Sequence, residues 1–279
     1  MNGKRFLGFF TYFFRHSSKY LKPSSNNIIV ATKLGRFPEP GGLENFSLES
    51  FRNHTEASLN RLALECLDLT QLHCIPTEFL VSGEVFDWLR ILQKEGKIRR
   101  YGASVETMDE ALICLEQEGL FSLQIIFNIF RQKPIEVLFD KAKKKKVALI
   151  IRLPLASGLL SGKISANRIF PENDHRNFNR EGQYFNIGET FAGLPFSKGV
   201  ELSEMLKCLV PEETTMAQLA LRWVLDFDAV NVVIPGGKNK QQVVENSVAS
   251  DQESLSENLH NKLSDFYRNE VKANIRGKY

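Results

Sequence analysis

Residues 28–35 read IIVATKLG, an apolar, β-branched run that carries one cation, Lys33, and is closed by Gly35. Short runs rich in Ile and Val, bounded by a turn residue, fit strands buried on both faces, as a parallel sheet requires. Such a strand places Lys33 at its carboxyl end. In a (β/α)8 barrel that end is the rim where chemistry sits. A lysine that simply reaches out to solvent from a strand end is the competing reading of the same run.

Outward from this run, strand and helix patterns alternate. Residues 67–72, LDLTQL, end at His73; residues 98–103, IRRYGA, precede Ser104; residues 122–127, SLQIIF, precede Asn128. Residues 147–153, VALIIRL, hold Arg152, and residues 230–234, VNVVI, lead into Pro235-Gly236-Gly237-Lys238. Between them lie apolar faces at helical spacing. The first joins Phe51, Thr55, Ser58 or Leu59, and Leu62, behind Ser47; the second joins Val85, Leu89 and Leu92, with Gly96 as a C-cap. A Thr107-x-x-Glu110 capping box precedes Met108, Ala111, Leu112 and Leu115. Pro134 opens a helix with Ile135, Leu138 and Ala142 inward. Leu202, Leu206 and Leu209 mark another helix, and Met216, Leu219, Ala220 and Trp223 the next. A last amphipathic segment spans residues 255–267.

Strands joined by crossover helices run parallel, so their carboxyl ends share one rim. Six such tips carry Lys33, His73, Ser104, Asn128, Arg152 and Gly236. The fold class is therefore α/β with a parallel sheet.

The 279 residues are 43% hydrophobic and 25% charged, with 36 basic and 33 acidic residues for a net charge of +3. That balance gives no nucleic-acid footprint. Cys66, Cys74, Cys114 and Cys208 are scattered, without C-x-x-C pairs or metal-ligand spacing, which suits a reducing cytoplasm. Lys4 and Arg5 precede a Phe-rich run over residues 6–14. The run is broken by Gly8, Thr11 and Tyr12, falls short of a membrane span and lacks a small-residue cleavage site. A short element covering apolar surface is expected there, with Pro23-Ser24-Ser25 as the loop into the strand at Ile28. The lysines at 143–146 sit where a helix C-terminus favours cations, so a solvated helix end is expected rather than a phosphate site. Residues 164–195, rich in Asn, Gly and Phe, have no helical period; a connection this long is a functional cover or disordered. The Gly236-Gly237 pair permits close backbone approach, and a helix beginning near Asn239 aims its N-terminus back at the turn, a plausible phosphate cradle.

IIVATK at Lys33, LDLTQLHC at His73, YGASVE at Ser104, PLASGLLSGK and VIPGGKNKQQVVEN together, in this order, resemble the aldo-keto reductase superfamily, over roughly residues 26–279. QIIFNIFRQKP, PENDHRNFNREGQYFNIGETF and TMAQLALRWVLDFDAV resemble one uncharacterised bacterial subgroup. The resemblance implies a (β/α)8 barrel that binds NADP(H), less often NAD(H), and reduces a carbonyl, with residues 1–25 unmatched. In that family a tyrosine gives the carbonyl oxygen its proton, a lysine and its aspartate partner tune the tyrosine, and a histidine orients the carbonyl. A phenol with a pKa of about 10 needs such a cation to serve near neutrality. Lys33 then corresponds to the lysine and His73 to the histidine. Ser104, Gln124 and Asn128 fall around the nicotinamide carboxamide, and Arg152 where an aromatic ring usually stacks, which a guanidinium plane also does. Leu155 and Ser157 match positions near the pyrophosphate. Gly236, Gly237, Lys238, Gln242, Glu245 and Asn246 match the adenosine-phosphate loop, with Lys238 the candidate for a 2′-phosphate.

One motif departs. The family's D-T-A-x-x-Y-G, expected roughly thirty residues before the lysine, does not occur in the sequence. Tyr12 and Tyr20 lie only 21 and 13 residues before Lys33. The sequence thus resembles an N-terminally shortened member whose first strands are missing or irregular. Two functions fit: an NADPH-dependent reductase of small aldehydes or ketones, or a non-catalytic dinucleotide-binding barrel that regulates a partner. A Schiff-base lysine at position 33 is a third chemistry that barrels support.

Overall fold

The computed structural model of the protein describes residues 28–36, 43 and 46–279. The expectations for residues 1–25, including the Phe-rich run, Tyr12 and Tyr20, lie outside the described residues. The chain divides into two compact units. One comprises residues up to Val105 together with 112–123, and the other comprises residues 106–111 and 124–279.

In the first unit, β1 (Ala31–Leu34), β2 (Leu69–His73) and β3 (Tyr101–Ser104) run parallel. The register sets Lys33 opposite Gln71 and His73 opposite Ser104. The ladder starts later than the apolar patterns suggest. Leu67 and Ile98 form only an isolated bridge, and the Asp68 carboxylate accepts from Val30 N at 3.0 Å. The strand read as buried on both faces needs correction: along β1 burial alternates, with Ala31 and Lys33 exposed and Thr32 and Leu34 buried. Among the described residues β1 has one ladder partner, β2, and Ile28 and Ile29 before it are exposed. Successive side chains of a strand point to opposite faces, so this alternation means that one face of β1 is covered and the other open.

The helices return the chain as expected. Ser47 caps the helix Leu48–Leu62, its side chain accepting from Ser50 N, and Phe51, Thr55, Ser58, Leu59 and Leu62 are all buried. A hydroxyl acceptor at this position satisfies one of the orphan N–H groups of the first turn. The helix Glu84–Lys94 buries Val85, Phe86, Leu89 and Leu92, and Gly96 takes φ +74 just beyond its end. A left-handed residue there ends the helix at little cost because glycine has no Cβ.

The capping box at Thr107 forms. Glu110 Oε2 accepts from Glu106 N and Thr107 N, and Thr107 Oγ1 accepts from Glu110 N. In the helix Met108–Leu115 that follows, Cys114 rather than Leu112 completes the buried face. β4 (Ser122–Ile126) then carries the chain into the second unit.

In the second unit β5 (Ala148–Arg152) and β6 (Val230–Val233) pair in parallel, with a register shift at Leu149/Ile150. The helix Met216–Leu225 begins on a Thr215–Gln218 capping box and buries Met216, Leu219, Ala220 and Trp223. Trp223 packs against Phe127 and Phe227, with ring centroids 4.9 Å away in each case.

Two helices differ from expectation. The single helix after Pro134 is two, Lys133–Val137 and Phe139–Lys145, which meet at the buried Leu138, where φ widens to −117. Ile135 is left half-buried. Leu209 lies beyond the helix Phe196–Leu206, in a short turn of its own. The lysines at 143–146 are exposed; Lys143 pairs with Asp228 and Lys146 is the left-handed cap. They are the solvated helix end expected. Among the described residues no helix is long and apolar enough to cross a membrane.

Candidate functional site

The first unit presents Lys33, His73 and Ser104 at the carboxyl ends of three neighbouring parallel strands. Lys33 is exposed, His73 half-buried and Ser104 buried. Ser104 is fixed from β2: Cys74 N donates to Ser104 O at 2.9 Å, and the Cys74 thiol lies 3.6 Å from the Ser104 hydroxyl. Cys74 sits at φ +48, a conformation rare for a residue with a Cβ. Beneath this row Gln71, also buried, donates to Ser122 Oγ at 3.4 Å. Gly35 is needed where it stands. Its φ is +104, and a Cβ there would meet the Ile75 side chain at 2.3 Å.

The second unit presents Gln124, Asn128, Arg152, Leu155 and Ser157, and separately the Gly236–Asn246 loop. Gln124 and Asn128 are buried. The Asn128 amide is committed in part to the chain itself, donating to Leu153 O and accepting from Phe130 N, both at 3.0 Å. That fixes the end of β5, where Arg152 lies 3.4 Å from the Glu189 carboxylate. After Leu155 the backbone turns through a left-handed run, with Ala156 at φ +47, Ser157 at +56 and Gly158 at +99. Non-glycine residues are held in that region only when their surroundings over-determine it. Here Ser157 Oγ donates to Glu189 O at 3.3 Å and accepts from Phe191 N at 3.0 Å.

The connection 164–195 is an ordered cover. Asp174 caps the short helix His175–Phe178 and pairs with Arg176, whose guanidinium lies over the Phe170 ring. Buried Asn179 donates to Thr190 Oγ1 and accepts from Tyr184 N and Phe185 N. The Arg176 guanidinium beside Asp174 holds its carboxyl down from 3.8 to about 2. A depressed carboxyl stabilises the fold above its unfolded value and loses that contribution as pH falls towards its folded one. The stability difference between wild type and Asp174→Asn, measured by denaturant unfolding, is therefore expected to be fully present at neutral pH and to shrink from pH 3.8 down to about 2. A difference that stays constant across that window would contradict the assignment.

The Gly236–Asn246 loop is exposed and internally braced. Lys238 N donates to Gln242 Oε1 at 2.7 Å, Gln242 N to the Asn239 side chain at 2.9 Å, and Asn246 Nδ2 to Gly236 O at 3.2 Å. Glu245 accepts from Gln241. Asn239 caps the helix Lys240–Val248 as expected. Of the two glycines only Gly237 is sterically required: a Cβ there would lie 2.9 Å from Val243 Cγ2, whereas one at Gly236 would meet nothing within 4 Å. The side chains of Gln242 and Asn246 are spent on the loop, while Lys238 and Lys240 are both exposed cations beside the start of the helix.

Sequence reasoning passed over Glu189, Asp174, Arg131 and the residues near Tyr279, all of which fix this arrangement. Asp174 two residues before Arg176 was the one local signal. The rest act through backbone carbonyls far away in sequence.

A profile of the aldo/keto reductase family matches residues 15–268. The chain belongs to the aldo/keto reductase family. Among its aldo-keto reductase relatives is YhdN of Bacillus subtilis, 25% identical over 217 residues, 75% of this chain and 63% of that protein. The NADH-specific methylglyoxal reductase of Escherichia coli is 27% identical over 80% of this chain and 69% of its own length. The aldo-keto reductase yakc [NADP(+)] of Schizosaccharomyces pombe is 26% identical over 78% and 64%. The chain thus spans about two thirds of the length of these relatives.

Two solved structures share the fold. The glycerol dehydrogenase AKR11B4 of Gluconobacter oxydans has TM-score 0.74 and 24% identity, covering 97% of this chain and 81% of that one. The aldo-keto reductase AKR11C1 of Bacillus halodurans has TM-score 0.69 and 24% identity, covering 94% and 78%. The fold is the parallel α/β fold of the aldo-keto reductase barrels, as the motifs implied, and the family is one of oxidoreductases that use NAD(P)H.

Proposed function

We propose that this family member binds NADP(H) and reduces small aldehydes or ketones to alcohols. The observation that carries the reading is the exposed Lys238 just before the N-terminus of the helix Lys240–Val248, on a loop whose Gln242, Asn239 and Asn246 side chains are bonded to the loop's own backbone. A cation beside helix N–H groups is a site for a phosphate dianion. A 2′-phosphate is what separates NADP(H) from NAD(H), so the donor set fits the phosphorylated nucleotide. The names of the relatives point both ways on this choice, which puts the weight on Lys238.

The remaining residues divide the work. Gly236, Gly237, Gln242, Glu245 and Asn246 shape the adenosine end, and Leu155 and Ser157 the pyrophosphate. Arg152 offers a flat guanidinium for the nicotinamide face, with Gln124 and Asn128 for the carboxamide. When bound, the nicotinamide supplies the hydride. His73 orients the carbonyl through a hydrogen bond, Lys33 places positive charge on the same rim to favour the developing alkoxide, and water gives the oxygen its proton.

His73→Gln is expected to lower kcat for carbonyl reduction by at least about tenfold, the scale of a positioned acid–base or orienting group, while the Kd for NADPH stays within about twofold. Loss of nucleotide binding in this variant would remove the assigned role. The second reading is nucleotide binding without turnover. Saturable NADPH binding with no turnover on a carbonyl panel selects it.

A further inference from the structure

We infer that residues 275–279 form a strap that positions the covering connection, and through it Ser157 and Glu189, for the nucleotide; Arg276 and Tyr279 are its positioning residues. The inference deepens the nucleotide reading and rests on it.

Arg276 holds the connection by several bonds at once. Its backbone N and its Nε both donate to Gly193 O at 3.1 Å, and Nη2 donates to Leu194 O at 3.1 Å and Arg180 O at 3.4 Å. Its Nη1 pairs with Glu181. Tyr279 acts through a buried cation. Its ring lies over the Arg131 guanidinium, 4.6 Å from centroid to Cζ, while its hydroxyl meets the Tyr267 hydroxyl at 3.0 Å and its carbonyl accepts from Lys133 Nζ. Arg131 is 2% exposed, and burial pushes it down to about 10, so it remains charged at neutral pH. It donates to Ala192 O at 3.2 Å and Glu106 O at 3.5 Å. A buried cation tolerates such a place only when carbonyl and aromatic partners surround it.

The connection is fitted to both arginines. A Cβ at Gly188 would lie 2.3 Å from Arg131 Nη1, and one at Gly193 would lie 2.9 Å from Arg276 O. Between these contacts Phe191 and Ala192 stand at φ +53 and +58, a conformation that needs external support. The supported residues are the ones that reach the candidate site, Phe191 N to Ser157 Oγ and Glu189 to both Ser157 and Arg152. Without the strap, ordering this stretch has to be supplied by nucleotide binding, which weakens affinity.

The test uses the full chain and the variants Tyr279→Ala, Arg276→Ala and Tyr279→Phe. Amide exchange over residues 179–194 is followed in nucleotide-free protein, and the NADPH Kd by fluorescence titration. Both alanine variants are expected to speed exchange over residues 179–194, and to raise the Kd, by about tenfold each, with protection of the helix Met216–Leu225 retained. Tyr279→Phe keeps the ring over Arg131 and should stay within about threefold of wild type on both measures. Unchanged exchange in the alanine variants overturns the strap. Faster exchange with an unchanged Kd overturns its link to the nucleotide. Wild-type protein that binds no NADPH overturns the nucleotide reading instead, and the exchange result then still decides the strap by itself.

Discussion

Lys238→Ala is expected to raise the Kd for NADPH by about tenfold or more, while the Kd for NADH moves by no more than about twofold. A hydrogen bond to a charged group contributes about 1.5–3 kcal/mol, and about 1.4 kcal/mol is a factor of ten in affinity. Lys238 is exposed, so solvent and salt screen the pair and the lower end of that range applies. The same screening gives a second signature. The difference between variant and wild type should narrow as ionic strength rises, because added salt weakens the wild-type contact and leaves nothing to weaken in the variant. Fluorescence titrations with both nucleotides at two salt concentrations check it. Equal losses for NADPH and NADH would show that Lys238 does not read the 2′-phosphate.

Trp223→Ala is expected to destabilise the protein by about 3–5 kcal/mol, the range for removing a large buried aromatic. Trp223 is 1% exposed, and its ring sits 4.9 Å from both Phe127 and Phe227, which themselves stack edge-on at 5.2 Å. Truncation removes the centre of that cluster, and the two remaining rings, Phe127 just after β4 and Phe227 just after the helix, cannot both move in to fill the gap. The denaturant midpoint should fall with little change in slope. Trp223→Phe keeps most of the apolar volume and should lose markedly less. A loss below about 1 kcal/mol in the alanine variant would mean that the cluster does not organise this core.

The buried helical faces were legible because their spacing is periodic. Phe51 to Leu62, Val85 to Leu92 and Met216 to Trp223 repeat every three or four residues, and all are buried as that spacing requires. Five of the six strand tips were legible too, since those apolar runs end at or beside a polar residue, and the sixth is marked by Pro235-Gly236. The half-buried alternation along β1 was not, because whether a second face is covered depends on elements elsewhere in the chain; an exposed Lys33 was only the competing reading of that run. The break at Leu138 was hidden because a continuous helical spacing does not show a local change of φ at one residue.

The connection 164–195 was hardest to read. Its order comes from Ser157 bonded to Glu189 O, Arg131 to Ala192 O and Arg276 to Gly193 O, pairs separated by 32, 61 and 83 residues. In each the acceptor is a backbone carbonyl, which every residue possesses, so residue type at the acceptor carries no signal. The arginine donors were passed over as well: Arg131 stands in the apolar stretch Ile129-Phe130-Arg131, where a cation is costly to bury unless something receives it.

The central claim is that this aldo/keto reductase binds NADPH through the Gly236–Asn246 loop. Titration of the full chain with NADPH, followed by nucleotide fluorescence, tests it most directly. The account predicts saturable binding that is tighter than for NADH and loses that preference in Lys238→Ala. A chain that is folded by circular dichroism and binds neither nucleotide would contradict it.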